Sequence, residues 1–224
     1  MSSEPSLPVL HEDAELLVID KPPGHAVHPG PKTPHSLEDR LDELRFGYRR
    51  LPQPAHRLDR DTSGCLVLAR NPRALKRMNA LFADGAVEKH YVALLAGRVE
   101  GEGTIDAPLA KISSAARGWR MRVDPGGRAA RTAWRAGTYI EALAATPVAF
   151  RPATGRTHQI RIHAAHALAP ICGDPVYGAD GNEDGGSMRL HAVRIAFDWR
   201  GDRRVDVVAP LPPGWPDLPD GLVT

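Results

Sequence analysis

At 224 residues the chain can bury one sizeable core, and one large domain is expected rather than two. Its 42% hydrophobic and 25% charged content is that of a globular protein, and its two cysteines, Cys65 and Cys172, exclude a disulfide framework. No apolar run approaches the roughly 20 residues of a membrane helix. Net charge is only +2, yet 24 of the 29 basic residues are arginine, the better side chain for bidentate phosphate contact and base stacking. A GC-rich genome would give the same bias, so composition alone makes a nucleic-acid partner no better than an even chance.

The opening Met1-Ser2-Ser3-Glu4-Pro5 has neither a basic region nor an apolar signal core. A reducing, cytoplasmic compartment is therefore expected. Residues 1–8 read as a frayed tail. Leu16-Leu17-Val18-Ile19 is a short strand ending at the turn Lys21-Pro22-Pro23-Gly24. Residues 36–44 predict an amphipathic helix with Leu37, Leu41 and Leu44 on one face, and Ser36 with Asp39 forms a capping box with the shorter acid. Cys65-Leu66-Val67-Leu68-Ala69 reads as a buried strand, with Cys65 a small core residue. Pro72 opens a helix carrying Leu75, Met78, Leu81 and Phe82, and 87–95 predicts a strand containing Tyr91.

Residues 112–152 predict several shorter strands, punctuated by a hairpin-type turn at Asp124-Pro125-Gly126-Gly127. Thr157 begins a predicted helix with Ile160, Ala164, Ala167 and Leu168 on one face. The polar, glycine-rich 180–187 is expected to be a mobile loop. Strands at 190–197 and 205–208 close the pattern. A Pro-rich tail follows over 213–224, with Trp215 docked on the body. Strands outnumber helices without alternating regularly with them, which predicts an α+β fold with a largely antiparallel sheet. The domain reading is a tail at 1–8, one catalytic domain at 9–212 and a tail at 213–224.

The most informative string is His56-Arg57-Leu58-Asp59-Arg60-Asp61-Thr62-Ser63-Gly64, a charged segment spliced onto the buried strand. Such a junction holds a carboxylate rigidly at the edge of a sheet. Upstream stands Lys21-Pro22-Pro23-Gly24, and downstream are Lys89-His90-Tyr91 and Thr154-Gly155-Arg156-Thr157-His158-Gln159-Ile160-Arg161. These four motifs, in this order, resemble the RluA-like pseudouridine synthases, and the likeness spans roughly residues 10–212. The resemblance implies a mixed, largely antiparallel central sheet with flanking helices and a catalytic cleft, isomerisation of uridine in structured RNA (rRNA, tRNA or both), and no cofactor. The S4-type RNA-binding module of larger relatives is not expected, because the catalytic pattern starts almost at once.

That chemistry breaks the C1′–N1 bond, turns the uracil and rejoins it through C5, with no redox change. It needs a carboxylate near the sugar, acting as nucleophile at C1′ or as base at C2′, a fixed cation beside it, and a platform for the detached base. By resemblance these are Asp59, Arg161 and Tyr91. Without the family likeness Asp59 would read as a turn or cap residue, Arg161 as a solvated helix charge and Tyr91 as a half-buried strand residue. Asp61 is a rival carboxylate. Arg57 is expected to fill the space left by the flipped nucleotide, and Ile160 to pack on the uracil. Lys21, Thr62, Lys89, Arg156, His158 and Gln159 complete the expected substrate contacts.

His158, His163 and His166 invite a metal, but no HExxH or CxxC pattern accompanies them and no metal is expected. The resemblance implies an RNA partner; a monomer is expected, and no membrane association. The alternative from another class is an RNA-binding or RNA-folding protein with the synthase fold and no essential turnover. A metal-dependent hydrolase, the third reading, would carry stoichiometric zinc.

Overall fold

A computed structural model describes residues 7–30, 33–114, 118–178, 187–219 and 221–222. In chain order the strands are β1 (Val9–Glu12), β2 (Leu16–Lys21), β3 (Gln53–Pro54), β4 (Ser63–Ala69), β5 (Glu88–Ala96), β6 (Glu102–Asp106), β7 (Leu109–Ser114), β8 (Gly118–Val123), β9 (Arg131–Ala136), β10 (Ala145–Pro152), β11 (Leu190–Arg200) and β12 (Arg203–Val208). Two α-helices, α1 (Pro72–Ala83) and α2 (Gln159–Ala167), and a 3-10 helix at Leu37–Leu44 accompany them. This is the expected α+β composition. No helix among the described residues is long and apolar enough to cross a membrane.

The chain forms two compact units. The first takes Met1–Lys89 and Ala192–Pro213, the second His90–His191 and Gly214–Thr224, so the chain changes unit inside β5 and inside β11.

In the first unit β1 and β4 both run antiparallel to β2, in a register that pairs Leu16 with Ala69 and Lys21 with Gly64. β4 is buried along its whole length, because apolar residues on both of its faces meet core. α1 starts where predicted. The Asn71 side chain accepts the Ala74 N–H at 2.9 Å, Pro72 occupies the first turn, and Ala74 and Met78 enter the core formed by β2, β4, β11 and β12. The capping box forms as well, Asp39 accepting the Ser36 N–H at 3.0 Å and Ser36 Oγ accepting that of Glu38 at 3.2 Å. The helix it opens is 3-10 rather than α, with the expected Leu37, Leu41 and Leu44 buried. Leu7 is fully buried and Pro8 accepts the Asp20 N–H, so the folded unit takes in the last two residues read as tail. β1, inside the expected domain, was not predicted.

In the second unit β10 lies between β5 and β9, and β6 pairs with β9, all antiparallel. β6 was not predicted: Glu-Gly-Thr-Ile-Asp buries only Ile105, and its extended form comes from pairing with β9, not from propensity. β7 and β8 form a separate two-stranded sheet. The turn at Asp124–Gly127 forms, with Gly127 N–H on Asp124 O at 2.8 Å, but it joins β8 to β9, which pair with different partners. It is not the hairpin turn expected there; the hairpin is β7–β8, joined through 115–117, outside the described residues. α2 starts at Gln159, two residues later than predicted, because His158 sits in the left-handed region at φ 55° and no helix can run through it. The expected mobile loop lies outside the described residues but for Ser187. Trp215 contacts the His191 ring at 6.0 Å and Leu222 is buried, so the C-terminal stretch packs on this unit.

Candidate active site

Asp59 belongs to the first unit. It begins a tight turn closed by the Thr62 N–H on its own carbonyl at 3.2 Å, and its side chain is half-buried. Lys21 holds that turn from β2. Its Nζ donates to Arg60 O at 3.0 Å, Pro22 O at 2.8 Å and His25 O at 2.8 Å, and the side chain is fully buried. An ammonium has three N–H donors, and here all three are used. Lys21 thus ties the Asp59 turn to the end of β2. Burial pushes its amine down to about 8, against the upward pull of Asp61, Asp59 and Asp20.

Gly64 closes the loop. Its φ of +106° is outside the range of other residues, and a Cβ there would lie 2.3 Å from Ala192 O. Thr62 is buried in the same turn. Asp61, the rival carboxylate, lies against Arg60 on both oxygens at 3.0 and 3.2 Å. Arg57 is exposed. His56 accepts the Val67 N–H at 3.0 Å, and burial, aided by nearby Lys89, pushes its imidazole down to about 4, so it is neutral. Burial also lowers the Lys89 amine, which is half-buried at the start of β5.

Tyr91 and the whole Thr154–Arg161 motif belong to the second unit. Tyr91 pairs with Phe150 across β5 and β10 and packs on the apolar cluster that contains Phe150, Ile160 and Ala164. The structure thus brings together the two residues expected to hold the uracil. Arg161 is not a solvated helix charge; its side chain is 4% exposed. It makes a bidentate pair with Asp174, Nε to Oδ2 and Nη2 to Oδ1, both at 2.7 Å. Asp174 Oδ1 also accepts the N–H groups of Val176 at 2.8 Å and Tyr177 at 3.0 Å. Burial pushes the Asp174 carboxyl up, but Arg161 and these two N–H groups outweigh it and hold the group below its ordinary value.

Tyr177 lies under the guanidinium, 5.1 Å from its ring centroid to Arg161 Cζ. Its hydroxyl accepts the Met121 N–H at 3.1 Å and meets His158 Nδ1 at 2.9 Å. His158 in turn stacks on Trp119 at 5.4 Å. Asp174 and Tyr177 were missed in the sequence. The signal was Gly173-Asp174-Pro175-Val176-Tyr177-Gly178, a turn string directly after the predicted helix, in which Gly178 has no room for a Cβ beside Asp174 O at 2.4 Å.

Gln159 is buried and bonded within the protein. It accepts from Thr154 Oγ1 at 2.7 Å and Arg156 N at 3.0 Å, and donates to Arg131 O at 3.0 Å and Thr132 Oγ1 at 2.9 Å. With all four positions used, it fixes the loop before α2 onto β9. Arg156 is half-buried with Nε on Ala129 O at 3.0 Å. His163 spends both ring nitrogens, on Thr132 Oγ1 at 2.9 Å and Ala107 O at 3.0 Å. Among the described residues no group of three or more His, Cys, Asp or Glu could hold a metal ion.

The family model described as RNA pseudouridylate synthase matches residues 15–166. The chain is 47% identical over 212 residues to an uncharacterised RNA pseudouridine synthase of Zymomonas mobilis, covering 94% of this chain and 96% of that one. It is 36% identical to the ribosomal large subunit pseudouridine synthase C of Vibrio cholerae, covering 91% of this chain and 65% of the longer relative. Among solved structures, Human RNA Pseudouridylate Synthase Domain Containing 1 superposes with a TM-score of 0.76 at 27% identity, covering 94% of this chain and 85% of that one. On this family match and these relatives, the chain belongs to the RluA-type RNA pseudouridylate synthase family.

Proposed function

We propose that Asp59 is the carboxylate with which this protein isomerises uridine to pseudouridine in structured RNA. What carries the reading is the turn at Asp59: Lys21, Thr62 and Gly64 all serve to hold one half-buried carboxylate in place, while Asp61 is occupied by Arg60. Rigid placement of a reactive group is worth more to catalysis than its mere presence. Asp59 attacks C1′ and displaces N1 of the uracil, or takes the proton from C2′ and later returns it; the uracil turns and C5 bonds to C1′, displacing Asp59 in the first route, after which the C5 proton leaves and N1 is protonated. Arg161 supplies the fixed cation, pre-aimed by Asp174. Tyr91 and Ile160 hold the base, and Tyr91 offers an oxygen for the departing proton.

Residues 9–212 are read as one catalytic domain because the family likeness spans nearly the whole chain. The name of the Vibrio relative makes large-subunit ribosomal RNA the first substrate to test, with transfer RNA second. Both places the enzyme in the cytoplasm, in keeping with two unpaired cysteines, and it is read as acting as a monomer. The test is carbodiimide–primer extension on ribosomal and transfer RNA from a strain lacking the gene, after incubation with purified protein. Asp59→Asn is expected to abolish turnover and Asp61→Asn to keep it. An Asp59→Asn enzyme with even a tenth of wild-type turnover, roughly 1.4 kcal/mol of barrier, would remove Asp59 from the chemistry.

A further inference from the structure

Between Glu43 and Asp59 the chain has no acidic residue, and it carries Arg45, Arg49, Arg50 and Arg57. The first half of this stretch, Arg45-Phe46-Gly47-Tyr48-Arg49-Arg50-Leu51, exposes its large apolar side chains: Phe46 is 38% exposed, Tyr48 42% and Leu51 44%. Three such side chains within six residues of chain are more than the single, scattered exposures ordinary on a surface. Phe46 and Gly47 both take positive φ, 44° and 81°, which turns the backbone sharply at this point.

Underneath lies Arg70, with a side chain only 4% exposed. Its guanidinium sits 4.3 Å from the Tyr48 ring centroid and 5.6 Å from that of Phe46, and it also binds Glu12. Its Nε–H finds no acceptor among the described residues. A buried cation thus backs the tyrosine ring while much of that ring stays open to solvent. Arg49 and Arg50, next in the chain, are exposed and form no ion pair among the described residues.

An aromatic face fixed from behind, flanked by two available guanidinium groups, is the chemistry that holds an unpaired nucleotide: the base stacks on the ring and the phosphates meet the arginines. We propose that the loop 45–51 is a second RNA-contact surface, which stacks an unpaired base of the substrate on Tyr48 and holds the neighbouring phosphates with Arg49 and Arg50. This deepens the RNA-isomerase reading and rests on it. The loop selects RNA in which the target uridine has an unpaired neighbour, and it adds affinity without taking part in the bond changes at Asp59.

The test is fluorescence anisotropy with a short fluorescein-labelled unpaired RNA of mixed A and U and with a fully paired RNA duplex of the same length. Tyr48→Ala is expected to weaken binding of the unpaired RNA by about tenfold and of the duplex by much less, since base–aromatic stacking is lost only in the first. Tyr48→Phe keeps the ring and should restore the affinity. Arg49→Ala with Arg50→Ala changes only exposed side chains, and it should make the salt dependence shallower by up to about two contacts. Leu143→Ala, at an exposed apolar site of the other unit, serves as the control. If both the Tyr48 and the double arginine variants bind both RNAs within twofold of wild type, the proposal fails, and a loop made for a protein partner would give that result. Uridine conversion in ribosomal and transfer RNA is read separately. Conversion by wild type with no Tyr48 effect sinks the loop alone, whereas Tyr48-dependent affinity without any conversion upholds the loop and sinks the isomerase reading.

Discussion

Asp174→Asn is the sharpest perturbation of the second unit, because it changes one atom and no volume. The carboxylate accepts four hydrogen bonds, two from Arg161 at 2.7 Å and two from the N–H groups of Val176 and Tyr177. An asparagine can keep its oxygen at the Oδ1 position, which serves three of these donors. Its NH2 group must then face Arg161 Nε–H, donor against donor at 2.7 Å. The guanidinium is left charged with its side chain 4% exposed, and the pair loses its Coulomb attraction. Breaking a buried pair in this way costs roughly 3–5 kcal/mol. At about 2–4 °C per kcal/mol for a chain of this size, the melting temperature should fall on the order of 10 °C. Replacing both partners, Arg161→Met with Asp174→Leu, should be less destabilising than Asp174→Asn although equally inactive, since no buried charge is stranded. The pH dependence has a definite sign. The Asp174 carboxyl is held below its ordinary value, so its contribution is complete above the unfolded pKa of about 3.9 and disappears as pH falls through the lower folded value. The gap in melting temperature between wild type and Asp174→Asn should therefore be full at neutral pH and close in strong acid. Melting within about 2 °C of wild type at neutral pH would refute the argument, because the pair would then be solvated in solution.

Lys21 gives the same sign in a higher pH window. Its amine falls to about 8 in the folded chain against about 10.4 unfolded, so folding stability should rise by up to about 3 kcal/mol as pH climbs from 8 to 10.5. Urea melts across that range should show the rise in wild type and not in Lys21→Met. Over the same range turnover should fall with an apparent pKa near 8, because a neutral amine has two N–H donors for three carbonyls; a flat profile would remove Lys21 from the positioning of the Asp59 turn. Gly64→Ala combines a Cβ 2.3 Å from Ala192 O with strain at φ +106°, and a loss of roughly 3–5 kcal/mol in denaturant melts is expected. Tyr91→Phe keeps the contact with the Ile160 cluster, so single-turnover kinetics should show a slow rate at near-normal RNA affinity; an unchanged rate would leave Tyr91 as packing only.

How far the sequence could be read depended on where each signal is stored. β4 and α1 were legible because their causes are local: a continuous apolar run, and Asn71-Pro72 ahead of a spaced apolar face. The capping box at Ser36 was legible for the same reason, though the helix it opens is 3-10. β6 was not, since its extended form depends on a partner, β9, some thirty residues away. The turn at Asp124 was recognised as a turn, but which strands it separates is decided by pairing that no local string encodes. Among site residues, the motif pointed to Asp59, Arg161 and Tyr91 as a set. It did not distinguish side chains that could meet a ligand from those that hold the others in place.

That distinction follows from counting donors and acceptors. Lys21, Gln159 and Asp174 are buried polar groups in which three, four and four hydrogen bonds respectively are made within the protein. A group so fully satisfied gains nothing by turning to RNA, and losing one partner would cost it roughly 1–3 kcal/mol, more where a charge is involved. Arg57, Arg49 and Arg50 are the reverse: exposed guanidiniums, free to trade water for phosphate. Polar residues thus fall into two classes with different signatures. Substitutions in the buried class should appear first in melting curves and carry turnover down with them. Those in the exposed class should leave melting unchanged and appear in RNA affinity and its salt dependence. A substitution at Lys21 that altered the salt slope without altering stability would break this division.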